Sequence, residues 1–162
     1  MALMSNAEKG LQEVLAKELS LVEDLLTIAY QHTEALKRDD LERVAELTQK
    51  QHELSSRLEA VEAQRLKVLA DFTRERELEK DPTLGELLGD ATLSEEFRTT
   101  AQSLWDKFRL LQEQHELNSM LLNQSLQYTR KMLSIFNQGA TYQPDGTIEQ
   151  LPVSSALVDK SV

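Results

Sequence analysis

Apolar residues recur along this chain at steps of three and four over two long uninterrupted stretches, which is the spacing of a helix face and not of a strand. Neither glycine nor proline occurs between Leu11 and Asp81 or between Asp90 and Gln138. The glycines stand at 10, 85, 89, 139 and 146, and the prolines at 82, 144 and 152. Both stretches are rich in Leu, Glu, Gln and Lys, which lose little side-chain freedom in a helix. The pattern predicts an all-α fold: a long antiparallel helical hairpin, coiled-coil-like, followed by a third long helix and a flexible C-terminal tail.

The first stretch is too long for one globular helix, and Lys37-Arg38-Asp39-Asp40 divides it. Basic residues suit a helix carboxy terminus, and Asp39 or Asp40 can accept from the amides that open the next helix. The two arms are therefore placed at 5–37 and 41–78. Leu11, Leu15, Val22, Leu25, Ala29 and Leu36 mark the seam of the first arm. Val44, Leu47, Gln51, Leu54, Leu58, Val61, Arg65, Val68 and Phe72 mark that of the second. A 3.5-residue period of this kind predicts an antiparallel coiled coil.

Residues 79–94 read as a connector, where Pro82, Gly85 and Gly89 leave room for one short turn around Leu84 to Leu88. Ser94 can cap a third helix over 95–137, with Glu95 and Glu96 in its first turn. Phe97, Ala101, Leu104, Phe108 and Leu111 continue the seam. Such a helix would be roughly 65 Å long at 1.5 Å per residue, so the single domain expected over 1–138 should be elongated. From 139 to 162 the periodicity is lost, and a flexible tail is expected.

Charge and composition narrow the function. The 162 residues include 28 acidic and 18 basic side chains, a formal net charge of -10, which disfavours nucleic acid and anionic membranes as partners. With no cysteine there is no disulfide scaffold, thiolate metal site or cysteine nucleophile. The first residues lack a basic region followed by an apolar run, and charges interrupt every apolar stretch before the roughly 20 residues that span a bilayer. No signal peptide, no stable membrane insertion and a cytoplasmic location are expected.

His32, His52 and His115 fall on three different helices, and none follows a Glu at the three-residue spacing of carboxylate-bridged metal bundles. The acidic neighbours Glu23-Asp24, Asp39-Asp40 and Glu95-Glu96 point about 100° apart on a helix, in polar settings that would not raise a pKa. The glycines form no phosphate-cradling loop. No enzymatic activity, metal or cofactor is expected.

One segment departs from the pattern. Residues 1 to 90 hold 20 acidic and 12 basic side chains, whereas Leu117 to Thr129 hold none. Projected as a helix, Leu117, Met120, Leu121, Tyr128, Met132 and Ile135 form one apolar cluster, and Leu122, Leu126 and Leu133 form another, roughly 120° or more away. Packing on a hairpin needs one stripe. The second is expected either to lie between the hairpin arms or to face another helix, and the amide-rich, methionine-containing surface favours the latter. An uncovered stripe also predicts pairing of the free chain as a homodimer.

Leu117-Asn118-Ser119-Met120-Leu121-Leu122-Asn123-Gln124-Ser125-Leu126, followed by Thr141-Tyr142-Gln143-Pro144-Asp145-Gly146, resembles the carboxy-terminal signature of the FlgN family. These are bacterial flagellar export chaperones for the hook-associated proteins of the hook–filament junction. The order of parts is similar along the whole chain: acidic hairpin, third helix, then a loose tail with a tyrosine ahead of an Asp-Gly turn. Ser119 departs from the pattern, since a glycine often follows the Asn. The resemblance implies a cytoplasmic type III export chaperone that binds the C-terminal helices of hook-associated proteins, prevents premature assembly and delivers them to the flagellar export gate. It places substrate-protein binding on Leu117, Asn118, Met120, Leu121, Leu122, Leu126, Tyr128, Met132, Leu133 and Phe136, and export-gate docking on Tyr142. A structural coiled-coil adaptor without an export role is the alternative, because heptads converge easily.

Overall fold

The computed structural model describes residues 3–137, 141–142 and 148–149. The chain divides into two compact units, Met1–Leu121 and Leu122–Val162. The division falls inside the last long helix, ahead of residue 138, where the periodicity of the sequence stops. In chain order the elements are α1 (Asn6–Lys37), α2 (Leu41–Glu75), α3 (Leu84–Leu88), α4 (Glu95–Asn137), β1 (Thr141–Tyr142) and β2 (Ile148–Glu149). The architecture is all-α: α1 and α2 make the hairpin, and α4 is the third long helix.

Each helix opens on a side chain that accepts from an otherwise unpaired amide. Ser5 caps α1 through the Glu8 amide at 3.1 Å, and Asp40 caps α2 through the Arg43 amide at 3.1 Å. Thr83 and Glu86 form a reciprocal capping box on α3. Ser94 accepts from the Phe97 amide at 3.1 Å and starts α4.

The ends of α1 and α2 share a second device. After α1 the Asp40 amide donates to the Ala35 carbonyl at 3.0 Å, and after α2 the Leu78 amide donates to the Thr73 carbonyl at 3.0 Å. Both turns pass through a left-handed residue, Asp39 at φ 53° and Glu77 at φ 54°. These are Schellman closures with an acidic residue where glycine is usual. They explain why α2 stops at Glu75 rather than running on to Leu78.

Within Met1–Leu121 the core is built around α1, whose Leu11, Leu15, Val22, Leu25, Leu26 and Ala29 are all buried. Leu69 and Phe72 of α2, Leu87 of α3, and Phe97, Ala101, Leu104 and Leu111 of α4 complete one apolar cluster with them. Each fully buried Leu or Phe contributes roughly 1.5–3 kcal/mol by leaving water. Hydrogen bonds set the register of α4 on α1. The Ser94 amide donates to Glu8 Oε1 at 3.0 Å, and the Asn118 amide donates to the Ala29 carbonyl at 2.9 Å, so α1 and α4 run in the same direction.

A polar side chain occupies a gap in the apolar seam of α1. Glu18 is fully buried, with Oε1 3.1 Å from Nε of Arg65 on α2. Burial pushes its carboxyl up to about 6, Arg65 opposes that shift, and Glu62 adds to it. Near the amino terminus of α1, Arg76 gathers several groups. Its guanidinium lies 3.1 Å from Asp90, 3.6 Å from the buried Glu8 and 4.8 Å from the centre of the Phe72 ring.

In the second unit, β1 and β2 pair antiparallel with Tyr142 opposite Ile148. The rest of the tail expected to be flexible, 139–162, lies outside the described residues.

Two outcomes follow from the buried charges. Arg76→Met leaves the Glu8 carboxylate buried without its cation and should cost about 3 kcal/mol of unfolding free energy in urea, most of it recovered by adding Glu8→Gln. Glu18 holds its proton more tightly when folded than its unfolded value of 4.5 allows, so its contribution is complete below pH 4.5 and is lost as pH rises through about 6. Glu18→Gln should therefore remove a fall on the order of 2 kcal/mol between acidic and neutral pH, read from urea midpoints across that range.

Candidate functional site

The face of α4 that packs on α1 changes character along its length. At Asn118 the seam turns polar, and the side chain is buried. Its amide donates to the Ala29 carbonyl, and its Oδ1 accepts from the Thr33 hydroxyl at 2.6 Å, while the Gln114 amide donates to the same hydroxyl. Asn118, expected among the substrate contacts, has both ends of its carboxamide bonded inside the chain. The signature asparagine acts here as a lock between α4 and α1.

His32 sits one residue from Thr33, with Nε2 3.4 Å from the Val44 carbonyl and 3.3 Å from the Thr48 hydroxyl. Burial holds its pKa below the usual histidine range, the Val44 carbonyl opposes this, and His115 lowers it further. A neutral imidazole suits a seam position between hydrogen-bonding neighbours. Among the described residues no three His, Asp or Glu side chains are grouped as a metal ion would require.

Also within the first unit, α4 carries an open cavity of about 860 Å³, lined among the described residues by Trp105, Phe108, Arg109, Leu111, Gln112, His115, Glu116, Ser119 and Met120. Trp105 is the only tryptophan in the sequence and is about half exposed. The periodicity did not single it out, since it lies one step from the seam residue Leu104. The signal available was chemical: a lone tryptophan off the core stripe of a helix needs a reason to be wet. Leu117 and Met120 are exposed on the same stretch, and Leu121 is half-buried.

The second unit opens with a helical segment of different chemistry. None of residues 122–136 is buried. Exposure reaches 73% at Phe136, 66% at Tyr128, 63% at Ile135 and 56% at Leu133, and Leu122, Leu126 and Met132 are exposed as well. Both apolar clusters expected from the sequence, the one with Tyr128, Met132 and Ile135 and the one with Leu122, Leu126 and Leu133, therefore meet water over this span. Tyr142 is set apart from this helix, on β1.

A family model described as FlgN protein matches residues 1–150. The chain belongs to the FlgN family, a family of flagellar export chaperones. No curated protein and no solved structure matches the chain. Among the described residues no helix is long and apolar enough to cross a membrane.

The lock and the exposed segment should separate on mutation. Asn118→Ala removes two buried hydrogen bonds between α4 and α1, to the Ala29 carbonyl and from the Thr33 hydroxyl, and should lower stability by about 1–3 kcal/mol in thermal or urea unfolding. Leu133→Ser removes an exposed apolar side chain and should leave unfolding within about 0.5 kcal/mol of the parent.

Proposed function

We propose that this member of the FlgN family holds the C-terminal helical segments of hook-associated proteins in the cytoplasm, keeps them from assembling prematurely and delivers them to the flagellar export gate. The observation that carries this reading is the exposure of seven large apolar side chains between Leu122 and Phe136 of α4. A run of that kind is costly in water and is favoured where a partner covers it.

The chemistry suits a helix as the client. Apolar residues spaced along one helix accept the apolar stripe of another at i, i+3, i+4 and i+7, and a disordered client segment can fold as it lands. Met132 and the amides of Asn123, Gln124 and Gln127 let the surface adapt to related sequences without committing a buried charge. The acidic hairpin keeps the loaded chain soluble. A second copy can compete for the same residues, so the free chain is expected to form a weak homodimer that the client displaces.

Tyr142 serves a separate step in this reading. It lies on β1, outside α4, and is assigned to docking at the export gate.

Replacing Leu126 with Asp should cost about 2 kcal/mol or more of affinity for a hook-associated carboxy-terminal peptide, measured by calorimetry, with the urea midpoint unchanged. Tyr142→Ala should leave that affinity unchanged and lower secretion of hook-associated protein in a flagellated host. Undiminished peptide binding by Leu126→Asp would remove the client surface from α4, and loss of peptide binding in Tyr142→Ala would join the two steps that this reading keeps apart.

A further inference from the structure

The exposed segment of α4 reverses the charge of the chain that carries it. The protein as a whole has a formal net charge of -10, yet from Leu117 to Pro144 its only charged side chains are Arg130 and Lys131. Both are exposed, and among the described residues neither has a carboxylate within ion-pair distance.

Their placement on the helix is specific. At 100° per residue Leu126, Leu133, Phe136, Met132 and Ile135 spread over roughly half of the circumference. Arg130 falls beside Leu126 at one edge of this apolar sector, and Lys131 falls beyond Ile135 near the other. Between the two cations, on the remaining side, lie Asn123, Gln127 and Ser134. The apolar sector therefore has a cation along each margin and no anion.

We propose that the client helix of this segment carries carboxylates on both flanks of its apolar stripe, so that Arg130 and Lys131 pair with them and fix its orientation on α4. This rests on the client-binding reading above and adds the charge pattern of the client to it. A helix laid on the apolar sector brings its flanking positions over the two margins, where a carboxylate meets a cation at the wet rim and a lysine meets repulsion. The same segment of a second copy is a poorer match, because it brings two further cations and no carboxylate. An anionic bilayer would answer the cations, but two of them in a chain of this acidity supply little attraction to a surface.

The test uses the full-length chain and designed helical peptides with one common leucine stripe, flanked by Glu, by Gln or by Lys. The expected affinity order by calorimetry at low salt is Glu over Gln over Lys, with roughly fivefold between neighbours, since each rim pair is a solvent-exposed ion pair. The order should compress at high salt and invert in Arg130→Glu/Lys131→Glu, whose urea midpoint should match the parent. Equal binding of the three peptides, or no inversion in the variant, would overturn the proposal. So would binding of the parent to anionic vesicles that the variant loses, or a homodimer that the variant alone fails to form, since either assigns the cations elsewhere. A hook-associated carboxy-terminal peptide measured in parallel separates this inference from the reading beneath it. If that peptide binds parent and variant equally, the client reading stands and the charge pattern fails. If it binds neither while the designed series inverts, the charge pattern stands and the client reading fails.

Discussion

One helix has to cover two others, and it is shorter than both. α1 supplies the central apolar face of Met1–Leu121, packing with α2 through Leu69 and Phe72 and with α4 through Phe97, Ala101, Leu104 and Leu111. It has 32 residues against 43 in α4. The register is fixed at the start by Glu8 and Ser94 and again by Ala29, Thr33 and Asn118. After Thr33, α1 has only Glu34 to Lys37 left, whereas α4 continues from Asn118 to Asn137. Within Met1–Leu121 the last buried position of α4 is Asn118, and the leucines at 122, 126 and 133 in the second unit are exposed.

The polar members of the seams make that register unique. Leucine on leucine tolerates a slip of seven residues at little cost, and a hairpin held by heptads alone would be free to slide. Glu18 has its cation in Arg65, His32 has the Val44 carbonyl and the Thr48 hydroxyl, and Asn118 has Ala29 and Thr33. A slip of one heptad would leave each of these buried without a partner, at a cost that apolar contacts elsewhere could not offset. Arg76 does the same at the opposite end of α1, where Glu8, Asp90 and Phe72 converge on it.

The helices were legible in the sequence because their boundaries are written in residues with few other uses. The break at Asp39-Asp40, the short turn at Leu84 to Leu88 and the Ser94 cap each depend on local chemistry. The early stop of α2 was not legible, because its left-handed closure uses Glu77 where glycine would have given the sign. Glu18 was passed over because a period read from apolar residues alone skips the polar ones between them. Asn118 was placed with its leucine neighbours as a client contact, and it is buried instead. Periodicity tells which residues share a face. It does not tell which positions on a face are buried: Asn118 is, and Leu122 is not.

On the proposed reading the exposed helix has to attract its client without holding it for good, and the composition of α4 suits both demands. The segment from Leu122 to Phe136 presents apolar area on more than one side, with large side chains between 37% and 73% exposed, so burial under a client offers a sizeable apolar gain. A client that is disordered when free must also give up backbone and side-chain freedom as it folds on this surface, which sets a large unfavourable entropy against the apolar gain. The difference between two large quantities is a modest affinity, and a modest affinity is what a carrier needs if its cargo is to be handed on. A deep pocket with buried hydrogen bonds would have bound more tightly and released more slowly. In this chain buried hydrogen bonds join α4 to α1 at Asn118, and the proposed client surface is apolar and exposed.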